Sequence, residues 1–344
     1  MENPRKSVGR QLEKSEKERR AAAWKTGEKG GTCVRNAGPD NRKDPLTGTM
    51  VVWLMAMTCC ALWGSAFACI KTGYRIFSVA ETDTASQILF AGSRFLLAGI
   101  LTVAFTCIRE RKVLLPSLSS WKYIGAVSVF QTMGQYIFFY ISMAHLSGVK
   151  GTILDGINPM VAILVAVYVF HLERMTWNKA LGCIVGFLGL LAVTLNGETL
   201  TPEIHLIGEG TMLIAAMSAS VASVLMRKFS QHEDPVVLTG YQFVLGGLVM
   251  IAGGLLAGGR LELLSFWGIP LLLYMAMISA VAFSLWGILL KHNPVSRISV
   301  FGFMTQIFGV VISAVVLQEF DRLQPTVLIA LGLVCLGIYL TNRE

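Results

Sequence analysis

The sequence predicts an all-α integral membrane protein with ten transmembrane helices in two inverted five-helix repeats. Three observations carry that expectation. Of the 344 residues, 54% are hydrophobic and only 15% charged, against about 25% charged in soluble domains. The apolar residues gather in runs of roughly 18–22, the length a helix needs to cross a bilayer. They lack the alternation of a spanning strand, which leaves helices as the viable spans. Finally, the apolar part repeats itself. SRFLLAG at 93–99 returns as YQFVLGG at 241–247. Gly186 and Asn196 follow Glu173 by 13 and 23 residues, and Gly332 and Asn342 follow Glu319 by the same intervals. An odd number of spans per copy forces the second copy to enter the membrane upside down, the sequence mark of secondary transporters.

The spans fall at about 50–72, 86–108, 121–143, 150–170, 177–196, 207–227, 236–257, 268–290, 297–317 and 323–341. Residues 1–49 precede them as a basic tail holding 12 of the 29 Lys and Arg. This tail is read as a disordered cytoplasmic segment drawn to anionic lipid, not to nucleic acid. The first repeat occupies 50–196 and the second 207–344, joined by an outward-facing connector, 197–206, that has no Lys or Arg. Apart from the tail, alternate loops hold 11 basic residues on one side and 5 on the other. The richer side is cytoplasmic, so both termini are expected in the cytoplasm and the chain in the plasma (cell inner) membrane.

Seven cysteines include no Cys-x-x-Cys pair, and the five histidines show no ligand spacing. Neither a disulfide framework nor a metal site is expected, and no cofactor is implied. No glycine-rich phosphate loop supports ATP-driven pumping. The acids are too sparse for a membrane-embedded lipid-modifying enzyme, and no ring of like charge suggests a channel. A lipid scramblase would use a similar polar groove and stays open as an alternative, as does an enzyme acting on a lipid-like substrate.

ALWGSAF in the first span, RFLLAG in the second, Pro159 in the fourth and the Glu ending spans four and nine resemble the EamA-type family of the drug/metabolite transporter superfamily. The resemblance covers about 50–342. It implies an inverted five-plus-five bundle around a central cavity, moving small metabolites such as amino acids without ATP. Copy two departs from copy one: Gln242 stands where copy one has Arg94, Phe301 where it has Asp155, and Met304-Thr305-Gln306 where it has the proline.

Arg94 lies inside span two, where a charge costs about 2.5–3.5 kcal/mol on insertion scales. It reads either as a counter-charge for a carboxylate on the substrate or as a structural arginine bonding helix carbonyls. Asp155 is the acid placed inside a span, and burial favours the neutral form of a carboxylate, which suits proton coupling. A fixed pairing with Arg94 or Lys150 is the alternative. Asn158-Pro159 interrupts span four and reads as a hinge or a static kink. Trp63, Ser65, Gln135, Tyr136, Tyr140, Asn158, Gln242, Trp286 and Gln306, with Arg94, form the candidate substrate lining, since aromatics with a few polar groups make small-molecule pockets. Glu173 and Glu319 read as gates or as caps for neighbouring helices. Gly182 and Gly186 suit close helix packing, inside the bundle or in a homodimer.

Overall fold

The computed structural model describes residues 45–80, 82–145, 155–194, 206–262, 266–316 and 326–343. The tail, apart from residues 45–49, lies outside them, as do the connector, apart from Leu206, and Glu319. Among the described residues every regular element is helical.

Side-chain caps open the helices that start at Thr84 and Pro235. Helix α1 is Thr49–Ile76. Helix α2, Thr84–Glu110, starts at Asp83, whose carboxylate accepts the Ser86 N–H at 3.0 Å, and ends at Arg111 in a left-handed conformation (φ 52°). Helix α3 runs from Trp121 through Val127, a π-helical turn over Ser128–Gly134, and Gln135–His145. Helix α4 is Asn158–Leu164 with a π-helical end, Val165–Val169. Next come α5 (Trp177–Thr194) and α6 (Leu206–Phe229). Helix α7, Pro235–Leu256, is capped by Asp234, which accepts the N–H groups of Val236 and Val237 at 2.8 and 3.2 Å. Helix α8 is Gly268–His292. A short helix, Val295–Ser299, leads into α9, Gly302–Val316, and α10 is Thr326–Asn342.

Six of these helices, α1, α2, α3, α6, α7 and α8, are long and apolar enough to cross a membrane. Helices α4, α5, α9 and α10 are apolar but shorter. Large apolar side chains such as Phe105, Ile184, Leu248 and Met277 stand exposed on outer faces, as lipid contact requires.

The packing has an order that the repeated sequence explains. Helix α2 lies along α7, and α5 along α10; α1 packs on α8 and α9, while α6 packs on α3 and α4. Exchanging each helix with the one five places away leaves this pattern unchanged. The α2–α7 crossing shows it at atomic scale. A Cβ on Gly99 would sit 2.6 Å from the Val244 nitrogen and 2.8 Å from the Gly240 oxygen. A Cβ on Gly247 would sit 2.5 Å from the Leu96 nitrogen and 2.9 Å from the Gly92 oxygen. Gly99 and Gly247 occupy the same place in the repeated motif, as do Leu96 and Val244, and Gly92 and Gly240. The helices run antiparallel, and glycine lets their backbones touch. In the same way Gly182 faces Gly337 and Thr341 of α10, while Gly186 faces Phe303 of α9, all within this chain.

Both α4 and α9 are preceded by a break in the helix, at Gly156–Ile157 and at Val300–Phe301. The expected interruption at Pro159 therefore needs correcting. The break comes before the proline, which sits in the first turn of α4, where its missing N–H costs nothing. The two breaks face each other: a Cβ on Gly302 would lie 3.0 Å from Pro159 Cγ. The Cys60 thiol of α1 donates to the Phe301 carbonyl in the break at 3.2 Å, and Cys59 donates to the Ala282 carbonyl at 3.3 Å.

Candidate functional site

Around the facing breaks lies a cavity of about 150 Å³. Helices α1, α2, α3, α4, α6, α8 and α9 all contribute to its wall, together with the two segments that precede α4 and α9.

Arg94 of α2 is buried, with 1% of its surface exposed. Its Nε–H donates to the Met275 carbonyl at 3.2 Å and to the Ser279 hydroxyl at 3.0 Å, both on α8. The guanidinium carbon stands 5.3 Å from the Phe95 ring centre. Among the described residues the fork beyond Nε makes no ordinary hydrogen bond, and Arg94 lines the cavity. Asp155 lines the same cavity, and one of its oxygens accepts the Gln306 side-chain N–H at 2.8 Å. Neither charge makes an ion pair among the described residues. The Tyr136 hydroxyl lies within electrostatic reach of both. Among the described residues the site thus holds one basic and one acidic side chain, each anchored by neutral groups and not paired with the other.

The aromatic wall is built around Trp63, whose ring meets Phe283 and Trp286 edge-on, each with centroids 5.0 Å away. Tyr136 packs on Phe95 at 4.4 Å and Phe139 at 6.3 Å. Asn158 opens α4 and accepts the Ser220 hydroxyl on its Oδ1 at 2.9 Å. Of the expected lining, Trp63, Arg94, Gln135, Tyr136, Asn158, Trp286 and Gln306 meet here, together with Asp155, expected as a proton-coupling group, and Pro159, expected as a hinge.

Three expected residues stand elsewhere. The Ser65 hydroxyl turns to the Leu62 carbonyl (2.8 Å) and the Tyr274 hydroxyl (3.1 Å). Tyr140 is buried beside Tyr74, with ring centres 6.2 Å apart, and its hydroxyl stands near Arg94 without an ordinary hydrogen bond. Gln242 is fully buried between α7 and α3: its Oε1 accepts the Thr132 hydroxyl and its carbonyl accepts that of Ser128 at 3.0 Å. Gln242 thus reaches into α3 as its repeat equivalent Arg94 reaches into α8, but it is too short to go on to the cavity.

The cavity also takes in Ile70, Gln131, Phe139, Ser223, Phe283, Ser299 and Thr305, which reading the sequence did not single out. Gln131, Gln135 and Phe139 recur every four residues, the stripe that would have found them; Ala219 and Ser223 on α6 do the same.

On the side expected to be cytoplasmic, Glu173 follows α4. Its carboxylate accepts the backbone N–H of Ser296 at 3.3 Å and the Ser296 hydroxyl, capping the short helix before α9. Lys179 donates to it at 2.9 Å. Burial opposes the charge on Glu173, but the Ser296 and Lys179 bonds prevail and hold the carboxyl below its ordinary value. Nearby, Arg227 donates to the carbonyls of Leu290 and Asn293, and Arg297 donates to the Thr47 carbonyl.

The model of the EamA-like transporter family matches residues 50–195 and again 206–343. The chain belongs to the EamA-like transporter family. It is similar to a chloroplastic WAT1-related protein of Arabidopsis thaliana, 26% identical over 307 residues that cover 86% of this chain and 70% of that protein. An uncharacterized transporter of Synechocystis is 25% identical, covering 82% of this chain and 87% of its own. The S-adenosylmethionine/S-adenosylhomocysteine transporter of Chlamydia muridarum is 23% identical, covering 82% and 89%. A solved crystal structure shares the fold, with a TM-score of 0.69 at 17% identity, over 86% of this chain and 97% of that one. This EamA protein is therefore a multi-pass membrane transporter of a small molecule, not an enzyme.

Proposed function

We propose that this EamA protein is a secondary active exporter of a small zwitterionic metabolite, an amino acid or a molecule with an amino-acid head, exchanged for protons. The observation that carries the reading is Arg94 and Asp155 in one cavity, neither in an ion pair among the described residues. A substrate carboxylate would take the free guanidinium fork, a bidentate match. Its ammonium would take the open oxygen of Asp155, with the apolar part against Trp63, Phe283 and Trp286. The substrates named for the Chlamydia relative each carry an amino-acid head, which agrees.

Coupling follows from competition. One carboxylate cannot hold an ammonium and a proton together, so each displaces the other and the two move in opposite directions. In this reading all ten helices span, and the second half lies upside down relative to the first. The antiparallel pairing of the equivalent helices α2 and α7 supports that inversion. The halves would rock about the midplane cavity, in the plasma membrane, with both termini cytoplasmic.

The test is counterflow in proteoliposomes with labelled amino acids, nucleosides, sugars and cationic drugs, with and without a pH gradient. Saturable accumulation of zwitterions, driven by a proton gradient and abolished in Arg94→Gln, supports the reading. Accumulation of uncharged sugars in its place, or of no solute by folded protein, refutes it; lipid scrambling would then be assayed.

A further inference from the structure

Gln131 sits in the π-helical turn of α3, 6% exposed, against the cavity. The hydroxyls around it are satisfied by neighbouring helices. Ser128 donates to the Gln242 carbonyl and Thr132 to the Gln242 side chain, both on α7. The Phe130 carbonyl accepts the Gln135 N–H of the π turn and the Ser218 hydroxyl of α6, the latter at 2.7 Å. Gly134 admits this approach, since a Cβ there would meet Ser218 Oγ at 2.4 Å. The turn is therefore held from two sides, and π turns recur at functional sites.

The amide of Gln131 is not held in this way. Its Oε1 is buried without a partner, and its NH2 donates to no described residue. A buried amide that bonds nothing in the protein lowers stability, and an apolar side chain of the same shape would pack there at no such penalty. Turn, clamps and orphaned amide together make sense if the missing partner is the transported molecule.

We propose that Gln131 is a specificity-determining residue whose amide hydrogen-bonds a neutral polar group on the body of the substrate, the charged head being taken by Arg94 and Asp155. This inference rests on the transporter reading above and adds a selectivity to it: substrates bearing a hydroxyl or amide should be favoured over apolar counterparts of equal size.

The experiment compares the full-length natural protein with Gln131→Met and Gln131→Asn in two assays. Thermal unfolding of the empty, purified protein asks whether the amide is unpartnered. Counterflow of the labelled pairs serine/alanine and glutamine/methionine asks what it reads. Gln131→Met should unfold no earlier than the natural protein. Its preference for the polar member of a pair should fall about tenfold, the worth of one hydrogen bond. Gln131→Asn, one methylene short, should lose preference without losing stability. Earlier unfolding of Gln131→Met, equal handling of both members by the natural protein, or a preference that survives the substitution would each overturn the inference. Absence of any saturable counterflow by the natural protein would instead sink the transporter reading, and the unfolding comparison would still decide whether the amide is unpartnered.

Discussion

Adding one methyl group at the α2–α7 crossing should separate two helices that now touch. In Gly247→Ala the new carbon would lie 2.5 Å from the Leu96 nitrogen, 2.8 Å from its Cα and 2.9 Å from the Gly92 oxygen. All three are backbone atoms, so no side chain can swing aside. Ordinary contact begins at 3.4 Å, so the helices must part by about 1 Å over a crossing held by backbone proximity. Overpacking of this kind costs about 1–3 kcal/mol. Gly253 lies six residues along the same helix, is exposed, and has nothing within 4 Å of its would-be Cβ. Gly253→Ala therefore carries the change in helix propensity alone, which favours alanine by up to about 1 kcal/mol. The assay is denaturant unfolding of both variants in one detergent, followed by tryptophan fluorescence. The expected order is Gly247→Ala below the natural protein and Gly253→Ala at or above it. Equal stability of the two alanine variants would mean that the crossing is looser than described and would undo the argument.

Three further outcomes follow from the site. Arg94→Gln places in α2 the residue that α7 already accommodates at the equivalent position, so the protein should fold while zwitterion transport falls at least about tenfold; wild-type flux in that variant would remove Arg94 from substrate recognition. Asp155→Asn keeps the shape and the contact with Gln306 but titrates no proton, so counterflow should lose its dependence on the pH gradient, and full retention of that dependence would exclude Asp155 as the coupling group. Glu173 is held below its ordinary value of 4.5 despite burial, by Ser296 and Lys179, so its stabilisation is present above about pH 4.5 and lost as pH falls through the lower folded value. Glu173→Gln should therefore cost about 1–3 kcal/mol at pH 7 and progressively less as pH falls through the lowered folded value, whereas a deficit independent of pH would contradict the role of its charge.

Much of this architecture was legible because it rests on composition and repetition. The glycines of the twice-written motif are those at which α2 and α7 touch, so a pattern in the letters became a contact between backbones. Helix lengths were harder to read: α4 and α9 look continuous on hydropathy, yet each is broken just upstream, and hydropathy is blind to backbone dihedrals. The cavity was half visible. Trp63, Tyr136 and Trp286 announce themselves by type, and Arg94 and Asp155 by charge in an apolar run. Gln131 and Phe139 lie on the four-residue stripe through Gln135 and were passed over because the reading followed the neighbouring face, Tyr136 and Tyr140. Gln242 drew notice for its polarity, but what decides its place is reach: a glutamine satisfies its neighbours in α3 and stops, where an arginine has a fork to spare.

The exchange symmetry of the packing has an energetic corollary. When the same interfaces recur on both sides of an axis, a rearrangement that loosens one set and tightens its counterpart trades like for like. Two opposite conformations of such a molecule would then lie close in energy however stable the fold is, in the way a balance with matched pans rests near level. What tips it is whatever the pans do not share. Three of those unmatched weights stand out by their chemistry: an arginine against a glutamine, an acid against a phenylalanine, a proline against a threonine. All but the glutamine border the same cavity or the helix breaks beside it. A ligand that touches only those positions, a proton included, would act on the full difference between the two conformations, and a small binding energy would be enough to move the whole bundle.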